Sequence, residues 1–305
     1  MKMRKKLSGS IPLLLATIIW GFAFIAQSVG MEKIGPFTFQ TVRCVLAVLF
    51  LFPCCTLLEL GKHVSAGESM KKWRDPTLWK AGIICGGALF VAASLQQIGL
   101  VYTDAGKAGF ITAMYIVLVP VLGLFLKRKP PKTAFFSVAL AVLGLYLLCC
   151  MGVTEINKGD LFLMGCALAF AVQITCIDRL AGSLDGLRLN CVQSLVVAAL
   201  SVPFVILTES VNFGDILSCW FPLVFAGVLS MGVAYTLQIV GQKRLEPTTA
   251  ALIMSLESVF AAIGGWLILK ETMSPWEMLG CVLVFGAVIL SQVPVDGFVK
   301  KAKAN

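Results

Sequence analysis

Ten apolar runs of 19 to 23 residues leave this chain few folds to choose from. They occupy 11–29, 36–58, 76–98, 106–126, 133–151, 159–177, 187–207, 219–239, 248–269 and 275–293. As a helix rising 1.5 Å per residue, each covers the roughly 30 Å of a bilayer's hydrocarbon. Backbone N–H and C=O groups find no water there, so each run must satisfy them internally, which confines it to a helix. The expected fold class is an all-α polytopic membrane protein with ten transmembrane helices. Composition agrees, with 58% hydrophobic and 13% charged residues among 305, where a soluble domain is about a quarter charged. Lys2, Arg4, Lys5 and Lys6 before the first run imitate a signal peptide. No small-x-small cleavage site closes that run, so it reads as a retained span.

Five of the runs repeat the other five. A shift of 142 positions lays Leu95, Gln96 and Gly99 on Leu237, Gln238 and Gly241, and Ala108, Ile111 and Val117 on Ala250, Ile253 and Val259. In the same register Gly123, Val142, Gly144 and Leu148 fall on Gly265, Val284, Gly286 and Leu290. A shift of 150 lays Gly35-Pro36 on Asp185-Gly186, Gln40 and Arg43 on Asn190 and Gln193, and Pro53 on Pro203. The linker 59–75 is eight residues longer than its counterpart 209–217, which reconciles the two registers. The chain therefore divides into repeats 1–151 and 152–305 within one membrane domain. Five spans per copy is an odd number, so the second copy enters the membrane upside down. Inverted repeats of this kind surround a central cavity and can open it alternately to either side, which a transporter uses and an anchor does not.

Charge sets the orientation. With the N-terminus inside, nineteen Lys and Arg residues fall on the inner side and only Lys33, Lys158 and Lys270 on the outer. Cytoplasmic loops carry the excess of cations, which puts both termini in the cytoplasm of a multi-pass plasma (cell inner) membrane protein. The net charge of +9 follows this topology and gives no reason to expect nucleic acid. The eleven cysteines lie almost entirely in apolar runs with no C-x-x-C, and the lone histidine, His63, sits in a polar linker. No metal site, no cofactor and no histidine-based catalysis is expected. A G-x-x-x-x-G-K-[ST] phosphate loop is missing, which argues against ATP-driven transport by this chain alone.

Polar side chains are costly in hydrocarbon unless they face protein or water, so polar stripes at helical spacing mark the interior. The first span aligns Thr17, Trp20, Phe24 and Gln27; the eighth aligns Met231, Tyr235, Gln238 and Gln242. The fourth aligns Ala108, Thr112 and Tyr115, the second Gln40, Arg43, Ala47 and Phe50, and the seventh Asn190, Gln193 and Val197. Candidate substrate-cavity residues are Trp20, Gln27, Gln40, Arg43, Thr112, Tyr115, Asn190, Gln193, Tyr235, Gln238 and Glu257. The plainer alternative for any of them is an interhelical hydrogen bond, about 0.6 kcal/mol on average. Spans five and ten have few polar groups and read as outer supports or as a homodimer contact. Gly82 and Gly86 form a small-xxx-small packing face.

Arg43 and Glu257 lie at depths differing by about 6 Å, counted along their helices. Three readings stand: a structural ion pair, a substrate contact, or a proton-titrating carboxylate that couples transport. Lys107 is a second candidate base near the cavity. Pro120 removes an amide donor from the fourth span and frees the carbonyl of Ile116, which makes it a static kink or, as the candidate functional reading, a hinge.

Taken together, several motifs resemble the EamA-type transporters of the drug/metabolite transporter superfamily, over essentially the whole chain. They are Trp20-Gly21, Arg43, the run from Phe110 to Pro120, Glu257, and Lys270-Glu271 leading into Gly280 and Gly286. The family's Glu-Pro-Val in the ninth span reads Glu257-Ser258-Val259 here, which puts the helix break expected at that proline in question. The resemblance implies a ten-helix basket around a central substrate cavity, with helices five and ten at its periphery. It also implies secondary transport, often export, of amino acids, related metabolites or drug-like compounds, with nucleotide-sugar and sugar-phosphate carriers as superfamily alternatives. Arg43, with Lys107 beside it, is too few cations for a dianion, so a small zwitterionic or neutral metabolite is favoured. An integral-membrane enzyme lacks the acidic or nucleophile-base clusters it would need. A non-transporting scaffold would need larger loops than these.

Overall fold

The computed structural model describes residues 2–103, 105–127, 132–149, 156–270 and 272–292. Ten helical spans appear: α1 (Lys2–Met31), α2 (Pro36–Leu60), α3 (Pro76–Tyr102), α4 (Ala105–Ala113 then Tyr115–Phe125), α5 (Lys132–Cys149), α6 (Lys158–Leu180) and α7 (Gly186–Thr208). They continue with α8 (Trp220–Val224, a π-helical stretch Phe225–Ala234, then Tyr235–Gln242), α9 (Pro247–Met254, Leu256–Gly264 and a π turn Gly265–Leu269) and α10 (Pro275–Gln292). Among the described residues, nine are long and apolar enough to cross a membrane, and the shorter apolar stretch of α5, Thr133–Cys149, completes the ten. Cys150, Met151, Glu271 and Val293, and the cations Arg128, Lys129, Lys300, Lys301 and Lys303, lie outside the described residues.

Helix starts follow local chemistry. Pro36, Pro76, Pro247 and Pro275 stand at first helical positions, where a missing N–H costs nothing. Asp75 caps α3 by accepting from the Thr77 amide at 2.8 Å. Asn157 and Asp160 form a reciprocal capping box on α6. The packing joins the two repeats throughout: α2 lies along α7, α3 along α6 and α7, α1 along α8 and α9, and α5 along α10. The Gly82 and Gly86 face of α3 receives Val192 and Val196 of α7. At the α5/α10 crossing the backbones touch, since a Cβ on Gly144 would stand 2.9 Å from the Gly280 carbonyl oxygen.

Four features depart from the sequence reading. The polar linkers contain short helices, Ala66–Trp73 and Phe213–Ser218; the first is closed by a Ser65–Glu68 capping box, a pattern visible in the sequence. In α4 the interruption falls at Met114, six residues before Pro120, and the helix runs on through the proline. The amides of Val117 and Leu118 both bond back to the Met114 carbonyl, at 3.0 and 3.3 Å, so the turn at Met114 takes up the bend that Pro120 was expected to make. In α9 the break is present without the family's proline, at Ser255. Its Oγ donates to the Leu252 carbonyl at 2.8 Å, a local bond that competes with the helix and bends it. Lastly, α8 is wound as a π-helix through its middle, a rare form concentrated at functional sites.

Candidate functional site

The breaks at Met114 and Ser255 fall within one residue of the 142-position register, so the two interrupted helices are counterparts. Discontinuous helices at the interface of inverted repeats build transporter sites. Here they flank a central cavity. Of the sequence candidates, Trp20, Gln27, Arg43, Tyr115, Tyr235, Gln238 and Glu257 line it. Phe24, Gln96, Phe170, Ile174, Ser230 and Met254 complete the wall.

The remaining candidates are spent on the fold. Gln40 Nε2 donates to Ser94 Oγ at 3.0 Å and Ser201 Oγ at 3.1 Å. Asn190 Nδ2 donates to the carbonyls of Met231 and Gly232 at 2.8 and 2.9 Å, and Gln193 Nε2 donates to Asn190 Oδ1 at 2.8 Å. Thr112 is fully buried with its hydroxyl 4.0 Å from Cys166 Sγ. Pro120 is buried within the second segment of α4 and does not line the cavity. Lys107 does not line it either, because its Nζ is drawn 2.6 Å from Asp160 Oδ2 at the start of α6.

Symmetry organises the wall. Tyr115 and Glu257 are 142 positions apart, as are Gln96 and Gln238; Trp20 and Phe170, and Phe24 and Ile174, are 150 apart. Four register pairs thus face one another across the pseudo-two-fold axis. The repeat register is the signal that would have found Gln96, Phe170 and Ile174 from the residues already suspected. Tyr115 and Glu257 touch: the phenol donates to Glu257 Oε1 at 3.1 Å. Symmetry-equivalent residues in contact must straddle the axis, which places Glu257 at the centre of the molecule.

Arg43 and Glu257 form no ion pair with each other, so the structural-pair reading falls. The Arg43 guanidinium donates through Nη1 to Gln27 Oε1, which also accepts from Gln97 Nε2. It lies 5.8 Å from the centre of the Phe39 ring. Trp20 and Tyr235 meet edge to face with centroids 5.0 Å apart. Three wall residues keep a buried polar atom without a hydrogen-bond partner: the donors Trp20 Nε1 and Arg43 Nε and the acceptor Gln238 Oε1. Gln40 Oε1 and Gln193 Oε1, away from the cavity, are orphaned too, so these atoms do not by themselves mark a binding place; those in the wall are open to a polar ligand. The wall therefore offers a cation with spare donors, a carboxyl and a spare acceptor, with Phe24, Phe170, Ile174 and Met254 supplying apolar surface.

Comparison with known proteins agrees with this architecture. An uncharacterized transporter of Archaeoglobus fulgidus is 32% identical over 295 residues, covering 95% of this chain and 88% of its own. The threonine/homoserine exporter RhtA of Escherichia coli (strain K12) is 31% identical over 235 residues, 74% of this chain and 73% of its own. A protein of known crystal structure superposes with a TM-score of 0.76 over 93% of this chain and 96% of its own, at 18% identity, and so shares the fold. The EamA-like transporter family matches residues 7–150 and again 157–292. On that double match, which takes in both five-helix halves and the cavity between them, the chain belongs to the EamA-like transporter family.

Proposed function

We propose that this transporter moves a small zwitterionic metabolite of the amino-acid class through the central cavity by alternating access, in the export direction. The observation that carries the reading is that Arg43 and Glu257 face one cavity and form no ion pair with each other. A carboxylate would take the spare donors of Arg43 and Trp20, and an ammonium group the Glu257 carboxyl and Gln238 Oε1. The similarity to a threonine/homoserine exporter points to the same chemical class and direction. A nucleotide sugar fits less well, because Arg43 is the one Lys or Arg among the wall residues.

A carboxyl that binds either the ammonium or a proton, and not both, also supplies a coupling step, so Glu257 is proposed as the site of proton antiport. The remaining site candidates keep structural roles in this reading. The repeats 1–151 and 152–305 interleave, each contributing helices to both packed groups that flank the cavity, in the plasma (cell inner) membrane with both termini cytoplasmic, where the cation excess belongs.

The test is thermal stability of the purified protein against amino acids, polyamines, nucleotide sugars and cationic drugs, since a ligand that binds only the folded state raises it. Stabilisation by amino acids alone, lost in Arg43→Ala and Glu257→Gln, is the expected result. Stabilisation by a nucleotide sugar, or amino-acid stabilisation that survives both substitutions, would overturn the assignment.

A further inference from the structure

We infer that Glu59 and Glu209 are the paired gating residues of the transport cycle, each holding one end of the α2/α7 pair shut. The two carboxylates are counterparts, 150 positions apart, each at the C-terminal end of its helix. Each reaches across to the N-terminal end of the other helix, and to the same register position on it: Thr38 in α2, Arg188 in α7.

The first contact is a cap lent by a neighbour. The N-terminus of α2 begins at Gly35, which has no side chain with which to cap it. Glu209 does so instead, accepting from the amides of Phe37 and Thr38 at 2.8 Å each and from Thr38 Oγ1 at 2.6 Å. A Cβ at position 35 would fall on the Glu209 carboxyl and displace it from the cap. A carboxylate on free helix-terminal amides is favourable by charge and by hydrogen bonding. The second contact is an ion pair. The N-terminus of α7 has its own cap in Asp185, which accepts from the amides of Leu187 and Arg188. Glu59 is therefore free to take the Arg188 side chain, with Nη2 2.6 Å from Oε2, and Lys72 at 2.9 Å. The linker helix Ala66–Trp73 backs this contact through Ser69 Oγ at 3.3 Å from Arg188 Nη2 and the Trp73 ring 5.3 Å from its guanidinium carbon.

Thr38 and Glu59 are 21 residues apart on one helix, about 32 Å at 1.5 Å per residue, or one hydrocarbon thickness. The two contacts thus sit at opposite faces of the membrane. Because α2 packs on α8 and α7 on α3, the two lie in different packed groups, and groups that rock about the central site move the two ends of this pair in opposite senses. Opening toward one face parts one contact and leaves the other made. On the proposed orientation Glu209 guards the outer face and Glu59 the inner.

This inference rests on the alternating-access reading but not on the choice of substrate, and its test uses no substrate. Ser230→Cys puts a thiol in the cavity wall. Its labelling by a membrane-impermeant maleimide is measured by peptide mass spectrometry in right-side-out and inside-out vesicles, as an outer-to-inner ratio. Glu59→Ala is expected to lower that ratio, and Glu209→Ala to raise it, each by about tenfold, the effect of one charge-assisted hydrogen bond on a two-state equilibrium. Two further variants guard against simple misfolding. The exchange Glu59→Arg with Arg188→Glu should bring the ratio back from that of Glu59→Ala toward the parent value, short of full recovery because the new arginine stands beside Lys72 and the new glutamate beside Asp185, and Gly35→Ala should act like Glu209→Ala without replacing the carboxylate. Ratios unmoved, or moved in the same direction by both alanine substitutions, would overturn the gate assignment. Failure of the amino-acid reading would show elsewhere, as absent thermal stabilisation in the parent.

Discussion

Replacing Asn190 by leucine separates polar residues that hold the fold from those that face the cavity. The amide nitrogen donates to the carbonyls of Met231 and Gly232, 2.8 and 2.9 Å away, and to Thr236 Oγ1 at 2.9 Å; its oxygen accepts from Gln193 Nε2 at 2.8 Å. Both carbonyls belong to the π-helical stretch of α8, so this one side chain ties α7 to the widened turn that presents Ser230 to the cavity. Two amide protons serve three acceptors, so the count of effective bonds is nearer three than four. At the roughly 0.6 kcal/mol average for interhelical bonds in membranes, the loss comes to about 2 kcal/mol. Leucine keeps the branching at Cγ and leaves no cavity, so the cavity penalty stays out of the comparison. An equilibrium shift of about 30-fold toward the unfolded state is expected, at 1.4 kcal/mol per tenfold. Denaturant unfolding in mixed micelles measures it, with ligand affinity determined on the same preparation. Affinity should change little, because Asn190 does not line the cavity. A loss below about 0.5 kcal/mol, within the range of an unremarkable substitution, or lost affinity at parental stability, would refute the structural role.

Three other substitutions or conditions test separate parts of the fold. Gly144→Ala should destabilise by about 1 to 3 kcal/mol, the usual cost of overpacking, because its Cβ would stand 2.9 Å from both the Gly280 oxygen and Leu283 Cβ; unchanged unfolding together with unchanged ligand affinity would show that α5 and α10 do not bear on each other. Glu68 is held below the usual carboxylate range by bonds from the Ser65 amide and hydroxyl. A depressed folded pKa gives stability that is present above the unfolded value and lost as pH falls through the folded one, so amide protection factors in Ala66–Trp73, taken relative to intrinsic exchange at each pH, should fall on acidification through that range, and a flat profile would contradict the capping box. Exchanging Tyr115→Glu with Glu257→Tyr keeps the same two groups on the axis; the double variant should recover ligand-induced stabilisation that each single variant loses, and a double variant no better than the worse single would break the symmetry argument.

The spans were legible because hydrocarbon imposes a strict rule: a run of about 20 apolar residues has one backbone solution. The inverted pairing was legible because Gly99, Gly123 and Val142 recur at 241, 265 and 284, one register for three different helices. What each polar residue does was not legible. Gln27 and Gln40 look alike in sequence, each on a helical stripe beside small residues. Only their neighbours distinguish them, since Gln40 meets Ser94 and Ser201 while Gln27 accepts from Arg43 at the cavity wall. Helix breaks were equally hidden, because composition pointed to Pro120 while the geometry was decided by serine at 255 and by a turn at Met114. Lys107 was misread for a similar reason: Asp160, 53 residues further on, is brought to it by packing.

The two repeats agree in backbone and differ in charge, and the difference is where selectivity must come from. Trp20 with Phe170, and Gln96 with Gln238, are like pairs that would present the same surface to either half-cycle. A wall made only of such pairs could not orient a ligand with distinct ends. Arg43 has Gln193 as its counterpart and Glu257 has Tyr115, so each half contributes a single charge that the other lacks, and of opposite sign. Equivalent backbones let the halves exchange roles at little cost in free energy, which serves the movement. Unequal side chains at these two pairs fix the direction in which a zwitterion lies, which serves recognition. Substrate preference among chains of this fold should therefore vary with the residues at 43 and 257 and their counterparts sooner than with the like pairs that shape the wall.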